Sequence, residues 1–496
     1  MAFSFGDSFD LYAAVADAIN GYWDSSATAV FALATGRFTG SRALTNSGGS
    51  NGLSLLKSSG ANDAVHHIVC AFQQTSVLSG SGVGIYLTLS DGATAQCTIV
   101  FRSDGAILLT SGAALGTTLA TYTGALTATS TWYAFEIEVV VSNTTGSFTV
   151  RKNGNTVADF TATGLNTRNS ANNYANRLTM GSQTNSIVGL IDDLFWRSDA
   201  SSVAWMGDIR CFTRMPASDA SVQFSRAPTS FTQTIAGSFG TAYGGGNTTA
   251  YYIPVTANRT GTVGTVSITL NSAYTGNIKC SVFGNAAGAP ATVLGSATVV
   301  TNPSSGSCAF TFPTPVAVTS GTQYWIGVIN DTTVSNLYQA QGTATGSHGT
   351  TTYAAFPVAN PTIAGTGDFI LLSSWTITPL ANYPYVNEAQ QDGATSYVYD
   401  STAGDADFYG IGSITSTPAT TIAVTTRGYM QKSDAGSRTA AVQLKSGATT
   451  VASPTLTLTT SGWQWAWRMD LTDPNTSAAW TAAAVNAAQI GPTVVS

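Results

Sequence analysis

The sequence predicts an all-β protein built from antiparallel sandwiches, and three observations carry that reading. Residues 131–160, TWYAFEIEVVVSNTTGSFTVRKNGNTVADF, alternate, turn, alternate and turn again. Charged residues make up only 9% of the chain, far below the ~25% of an ordinary globular protein. Fifty glycines, with abundant Ser and Thr, supply turns and a hydroxylated surface. At 43% hydrophobic residues and a net charge of −6, the chain can build large cores and lacks the composition of a disordered one.

Within 131–160, Phe135, Ile137, Val139 and Val141 share one face, and Ala134, Glu136, Glu138 and Val140 share the other. A period of two means a strand with one face on a core. Asn153-Gly154 is a tight-hairpin signal, because both central positions of the favoured turn take positive φ. The same grammar runs from residue 2 to about 214, with strands expected at 65–72, 84–89, 95–102, 107–109 and 187–196 and a short helix in 10–19. Residues 216–249 are rich in Ser, Thr, Gly and Pro and read as a linker or long loop. Strands resume over 250–380, where Tyr324-Trp325-Ile326-Gly327-Val328 is strongly apolar. Residues 381–496 form the third region, with Trp463, Trp465 and Trp467 on one face of a strand and a short helix expected in 477–486.

Several function classes are disfavoured. There is no Lys/Arg cluster to neutralise phosphates, so nucleic acid is not an expected partner. No run of about 20 apolar residues predicts a membrane span. MAFSFGDSFD lacks the basic region and apolar core of a signal peptide, so export by that route is disfavoured, and an external role would need another way out, such as assembly in the cytoplasm of a host cell followed by lysis. Five cysteines without a CxxC form neither a disulfide framework nor a zinc site, although Cys280 and Cys308 could pair within one domain.

Candidate chemistry is sparse. Glu136 and Glu138, two apart on a strand, put two carboxylates on one face, as glycoside hydrolysis requires. With Val140 at the next position and no evident histidine partner, they read instead as a solvent-facing edge. Asp192 and Asp193, and the looser set Asp400, Asp405 and Asp407, are the carboxylates that could hold Ca²⁺. His66, His67 and His348 lack metal-ligand spacing, and neither a nucleophile elbow nor a phosphate-binding loop is present. Trp463, Trp465, Trp467, Tyr324 and Trp325 could contact a glycan or another subunit if exposed, with burial in a core face as the plainer reading.

Residues 4–12 (SFGDSFDLY), 131–137 (TWYAFEI), 147–155, 191–196 (IDDLFW) and 207–210 (GDIR) resemble, in that order, the strands of concanavalin A-like, laminin-G-type domains in virion proteins of tailed phages and prophages. Residues 387–389, 392–398, 407–410 and 432–436 resemble a companion C-terminal β domain of the same proteins. The resemblance implies a concanavalin A-like jelly-roll sandwich over 1–215, followed by two further antiparallel β-sandwich domains at 250–380 and 381–496, the first of them an insertion. It implies a non-enzymatic tail, fibre or capsid-surface protein of the virion, with other virion proteins as partners and a homo-oligomer such as a trimer. A carbohydrate-binding protein that recognises host polysaccharide is the alternative, and a polysaccharide-degrading hydrolase a third. Ca²⁺ is the one cofactor the family's lectins suggest.

Overall fold

Residues 131–160 fold as their alternation requires. In the computed structural model, Phe135, Ile137, Val139, Phe148 and Val150 all lie fully buried in one core. The structure describes residues 3–19, 21–26, 31–46, 52–76, 79–183, 188–201, 204–236, 240–341, 346–366, 370–414 and 420–496. Ile187, expected to open a strand, lies outside the described residues, and that strand is Gly189–Asp199.

The N-terminal part is a concanavalin A-like jelly-roll sandwich of two antiparallel sheets. One sheet runs in the order Phe160–Leu165, Gly146–Lys152, Tyr133–Val140, Val65–Gln74, Gly189–Asp199, Arg42–Asn46, Phe31–Thr35, with Phe3–Asp7 also paired to Gly189–Asp199. The facing sheet runs Thr118–Tyr122, Ile107–Ser111, Thr94–Arg102, Val83–Asp91, Ala175–Ser182, Gly52–Asp63, Ser25–Ser26. Asn153 and Gly154 both take positive φ (53° and 76°), as the hairpin signal demands. The short helix expected in 10–19 is the 3₁₀ turn Val15–Ile19.

Residues 216–249, expected as a linker, carry strand segments. Pro216–Ser221 joins a six-stranded C-terminal sheet by pairing with Phe408–Ile411, followed in order by Gln489–Val494, Thr439–Ser446 and Thr449–Ala452. Low hydrophobicity did not prevent this, because an edge strand needs only backbone pairing and one covered face. A two-stranded ribbon, Val424–Met430 with Gln464–Asp470, completes this region, and the helix expected in 477–486 is Ala482–Ala487, capped by the Thr481 side chain.

Residues Met1–Phe224, Asn387–Ala394 and Asp400–Ser496 make one compact unit, and Ser225–Val386 with Thr395–Tyr399 make another. The second unit is an antiparallel sandwich. One of its sheets is ordered Phe231–Ala236, Ser373–Thr378, Gly261–Leu270, Val334–Gln341, Thr241–Gly245. The other is ordered Ala289–Ser296, Asn277–Ala286, Gln323–Asn330, Thr249–Thr256, Ser347–Thr350, Ile363–Thr366. Among the described residues, no helix is long and apolar enough to cross a membrane.

Candidate functional site

The tryptophans of 463–467 answer a structural need within the first unit. Trp465 is buried, packs on Tyr12 and Tyr429, and donates its Nε1–H to the Asp17 carbonyl at 2.8 Å. Trp467 meets Phe5 and Tyr22, with the Lys57 ammonium 4.6 Å from its ring. Trp463 stacks on Tyr429. Beside them Arg427 donates to the Gly6 carbonyl (3.0 Å) and Asp7 (3.2 Å) and lies 3.3 Å over the Tyr22 ring. The ribbon is thereby joined to the first strand of the jelly roll. Tyr324 and Trp325 are also buried. Trp465, Tyr324 and Trp325 thus take the plainer of their two readings, burial in a core face, and the alternative of a glycan or subunit contact is corrected for these three: their faces are covered by protein.

The aspartates expected to hold Ca²⁺ are committed to hydrogen-bond donors. Asp192 accepts from the backbone N–H of Arg37 (2.8 Å) and of Asp193 (2.7 Å), and Asp193 from Cys211 N–H (2.8 Å). Burial, with the neighbouring carboxylates, pushes Asp192 up to about 6 and Asp193 up to about 7. Asp407 accepts from Gln223 and Phe224 N–H and from the Tyr409 hydroxyl, which closes the crossing between Pro216–Ser221 and the C-terminal sheet. The Asp405 carboxylate accepts from the Gln223 amide at 3.4 Å, and Asp400 caps Thr402 N–H. N–H groups pointing at a carboxylate leave it poorly suited to a cation. Among the described residues no group of three His, Cys, Asp or Glu could hold a metal ion. All five cysteines, Cys280 and Cys308 included, are free.

Glu136 and Glu138 do not form a solvent-facing edge. Their strand is interior, and register places Glu138 opposite His67. His67, fully buried, approaches Glu138 Oε2 at 2.7 Å through Nε2 and Glu136 Oε1 at 3.4 Å through Nδ1. Burial pulls the imidazole down, but the hydrogen bonds and charges of Glu136 and Glu138 outweigh it, so His67 titrates above the ordinary histidine value. Glu136 also accepts Met206 N–H (2.7 Å) and Gly207 N–H (2.8 Å), and Trp205 packs edge-on to His67 under the Arg151 guanidinium. The group fastens the 205–207 segment over the sheet. His66, its neighbour, points the other way, donates from Nε2 to the Asp63 carbonyl at 2.9 Å, and is pushed down to about 4 by burial.

A polar surface that no sequence motif marked lies on the loop 166–176. Its organiser is Gln96, fully buried on Thr94–Arg102. Gln96 Oε1 accepts Asn169 and Ser170 N–H at 2.7 and 2.8 Å, and its Nε2 donates to the Asn172 and Tyr174 carbonyls at 2.8 Å each. Asn172 Nδ2 then reaches Asp91 Oδ2 at 2.8 Å and the Tyr174 hydroxyl at 3.0 Å. Asn169, Asn172 and Asn173 are exposed and Tyr174 half-buried. The result is an amide- and hydroxyl-bearing surface with an aromatic ring, held in place by hydrogen bonds to Gln96 and Asp91. A signal for it existed only as the Asn-rich composition of TRNSANNY; the partner Gln96 lies more than 70 residues away.

No family model matches the chain, and no curated protein matches it. Similar solved structures include the catalytic domain of a glycoside hydrolase family 131 protein from Coprinopsis cinerea, at 11% identity over 42% of this chain and 98% of that one, with a TM-score of 0.29. They also include a carbohydrate esterase from the Shiga toxin-encoding bacteriophage phi24B, at 15% identity over 36% of this chain and 90% of that one, with a TM-score of 0.26. A third is lectin I from Ulex europaeus in complex with a methyl fucoside, at 10% identity over 40% of this chain and 97% of that one, with a TM-score of 0.26. Because two of these similar structures are of enzymes, the expectation of a non-enzymatic chain is corrected: a sandwich of this kind does not argue against catalysis.

Proposed function

We propose that this protein recognises carbohydrate, acting as an adhesion component of a phage particle that binds host polysaccharide. The observation that carries the reading is the Gln96-organised surface of residues 166–176. With their Nδ2 groups donating to Ala95, Asp91 and Tyr174, Asn169 and Asn172 present side-chain oxygens that suit sugar hydroxyls, beside the exposed Asn173 amide. Tyr174 adds an amphipathic ring, and Tyr, Ser and Asn are the residue types that dominate adaptable binding loops. The low charge of the whole chain agrees with a partner recognised through hydroxyl and amide contacts. The particle setting rests on the ordered resemblance of the N- and C-terminal segments to virion proteins.

The test is retention of the full chain on immobilised host-type polysaccharides, beside its Asn172→Ala variant. Retention of the parent, weakened in the variant, is the expected result. Equal retention of the two proteins would move recognition away from this loop, and no retention of either would remove the carbohydrate reading.

A further inference from the structure

We infer that the inserted sandwich carries its own binding groove for a neutral oligosaccharide. This rests on the carbohydrate reading above and adds a second, separate site to it. The groove, about 460 Å³, lies between the connection leading from Thr241–Gly245 to Thr249–Thr256 and the one leading from Gln323–Asn330 to Val334–Gln341. Its size falls within the ~300–1,000 Å³ of small-ligand sites.

Three features define what it would take. Its lining bears no charge: Gly244, Gly245, Gly246, two threonines at 248 and 249, Tyr251, and residues 333–336 (TVSN). An ionic ligand finds no counter-charge there, whereas sugar hydroxyls meet the hydroxyls of threonines and Ser335 and the amide of Asn336. Next, the floor is glycine by necessity. A Cβ on Gly245 would stand 2.2 Å from Asn330 Oδ1, and one on Gly244 would stand 2.9 Å from the Val334 carbonyl. The glycines therefore let this run pack directly against Asn330 and Val334, which fixes the shape of the groove's floor.

Finally, the walls are fixed in advance. Tyr251 donates its hydroxyl to the Gly244 carbonyl at 2.6 Å, holding the glycine run. Fully buried Asn330 donates to the Thr332 carbonyl and accepts from the Tyr338 hydroxyl at 3.0 Å. Asp331 accepts from Asn277 N–H (2.9 Å) and Nδ2 (2.7 Å) and from the Tyr274 hydroxyl, which in turn accepts Thr332 N–H at 3.0 Å. On the other wall, Thr351 N–H donates to the Thr248 carbonyl at 3.1 Å and Tyr353 N–H to the Asn247 carbonyl at 2.7 Å. Such pre-ordering lowers the entropic cost of binding a flexible ligand.

Titration calorimetry of the full chain tests this, with cellohexaose, maltohexaose and chitohexaose as neutral probes and hexagalacturonate as the charged one. Ser335→Trp and Thr248→Trp, at two exposed positions, each fill the groove, so one remains informative if the other misfolds. The expected result is binding of at least one neutral probe that either variant weakens about tenfold or more, ~1.4 kcal/mol, with the melting temperature unchanged. Asn172→Ala should leave that groove-dependent binding in place. If the groove variants bind like the parent while Asn172→Ala loses affinity, the carbohydrate reading stands and the groove inference is overturned. Hexagalacturonate competing equally at the groove would overturn the assignment to neutral sugars. Binding of no probe by the parent would overturn both readings.

Discussion

Two sheets in this protein hide the face that points away from their sandwich core, and they do so by opposite means. In the jelly roll, the outer face around Tyr133–Val140 is closed by ionic and hydrogen-bonding groups: His67 between Glu136 and Glu138, with Glu136 gripping Met206 and Gly207. In the inserted sandwich, the outer face around Gln323–Asn330 is closed by apolar burial. There Ala250, Tyr252, Phe283, Trp325, Ile329 and Phe356 form their own cluster, under a 351–362 segment that Lys279 ties down through the Tyr353 and Phe356 carbonyls. The difference teaches how strand patterns should be read. A strand apolar on both faces announces two covers. A strand that alternates with carboxylates looks solvated, yet is covered when a buried partner supplies the counter-charge.

The largest effect should come from the apolar cover. Trp325→Ala is expected to cost the inserted sandwich about 3–5 kcal/mol, measured by chemical denaturation. A loss under ~1 kcal/mol would mean that the 351–362 segment does not close over it. Next, Glu136→Ala leaves the Met206 and Gly207 N–H groups without their acceptor and His67 with Glu138 as its one carboxylate partner among the described residues, and should destabilise the jelly roll by about 2–3 kcal/mol. Hydrogen exchange at Met206 and Gly207 should rise with it, and unchanged protection there would separate Glu136 from the fastening.

The two covers should also divide by pH. A histidine with a folded-state value raised above its unfolded value stabilises the fold at low pH and loses that contribution as pH rises through the folded value. His67 has that sign, and so does Asp193, raised to about 7; Asp192, raised to about 6, has it too but loses its share mostly below pH 6.5. Between pH 6.5 and 8 the first unit should therefore lose stability as pH rises. Below 6.5, His66, pushed down to about 4, opposes the trend. Fragments of the apolar cover should show no matching change in exchange protection beyond the intrinsic pH effect, and a parallel loss in both units would erase the contrast. The smallest effect belongs to Arg151→Ala, which removes the guanidinium 3.9 Å above Trp205 and should cost ~0.5–1 kcal/mol by thermal melting.

These contrasts show what was legible in the residues. The jelly-roll core, the Asn153-Gly154 turn and the two-sided burial of Tyr324 and Trp325 follow from local pattern, because period and turn chemistry are properties of neighbours. The roles of Glu136, Gln96 and Trp467 do not. Each depends on a partner brought close by register or docking: His67 across a strand pair, loop 166–176 from beyond the facing sheet, Phe5 and Tyr22 from the far end of the chain. Pro216–Ser221 was hidden for a related reason, since its pairing with Phe408–Ile411 spans the whole of the inserted unit's sequence.

The central claim is that uncharged, pre-ordered polar surfaces on this chain recognise sugars. Saturation-transfer NMR of the full chain with a mixture of neutral oligosaccharides tests it most directly. Transfer concentrated on a few sugar ring protons of one probe, and reduced by Asn172→Ala or Ser335→Trp, is the predicted result. Absence of transfer to every sugar in the mixture would contradict the account.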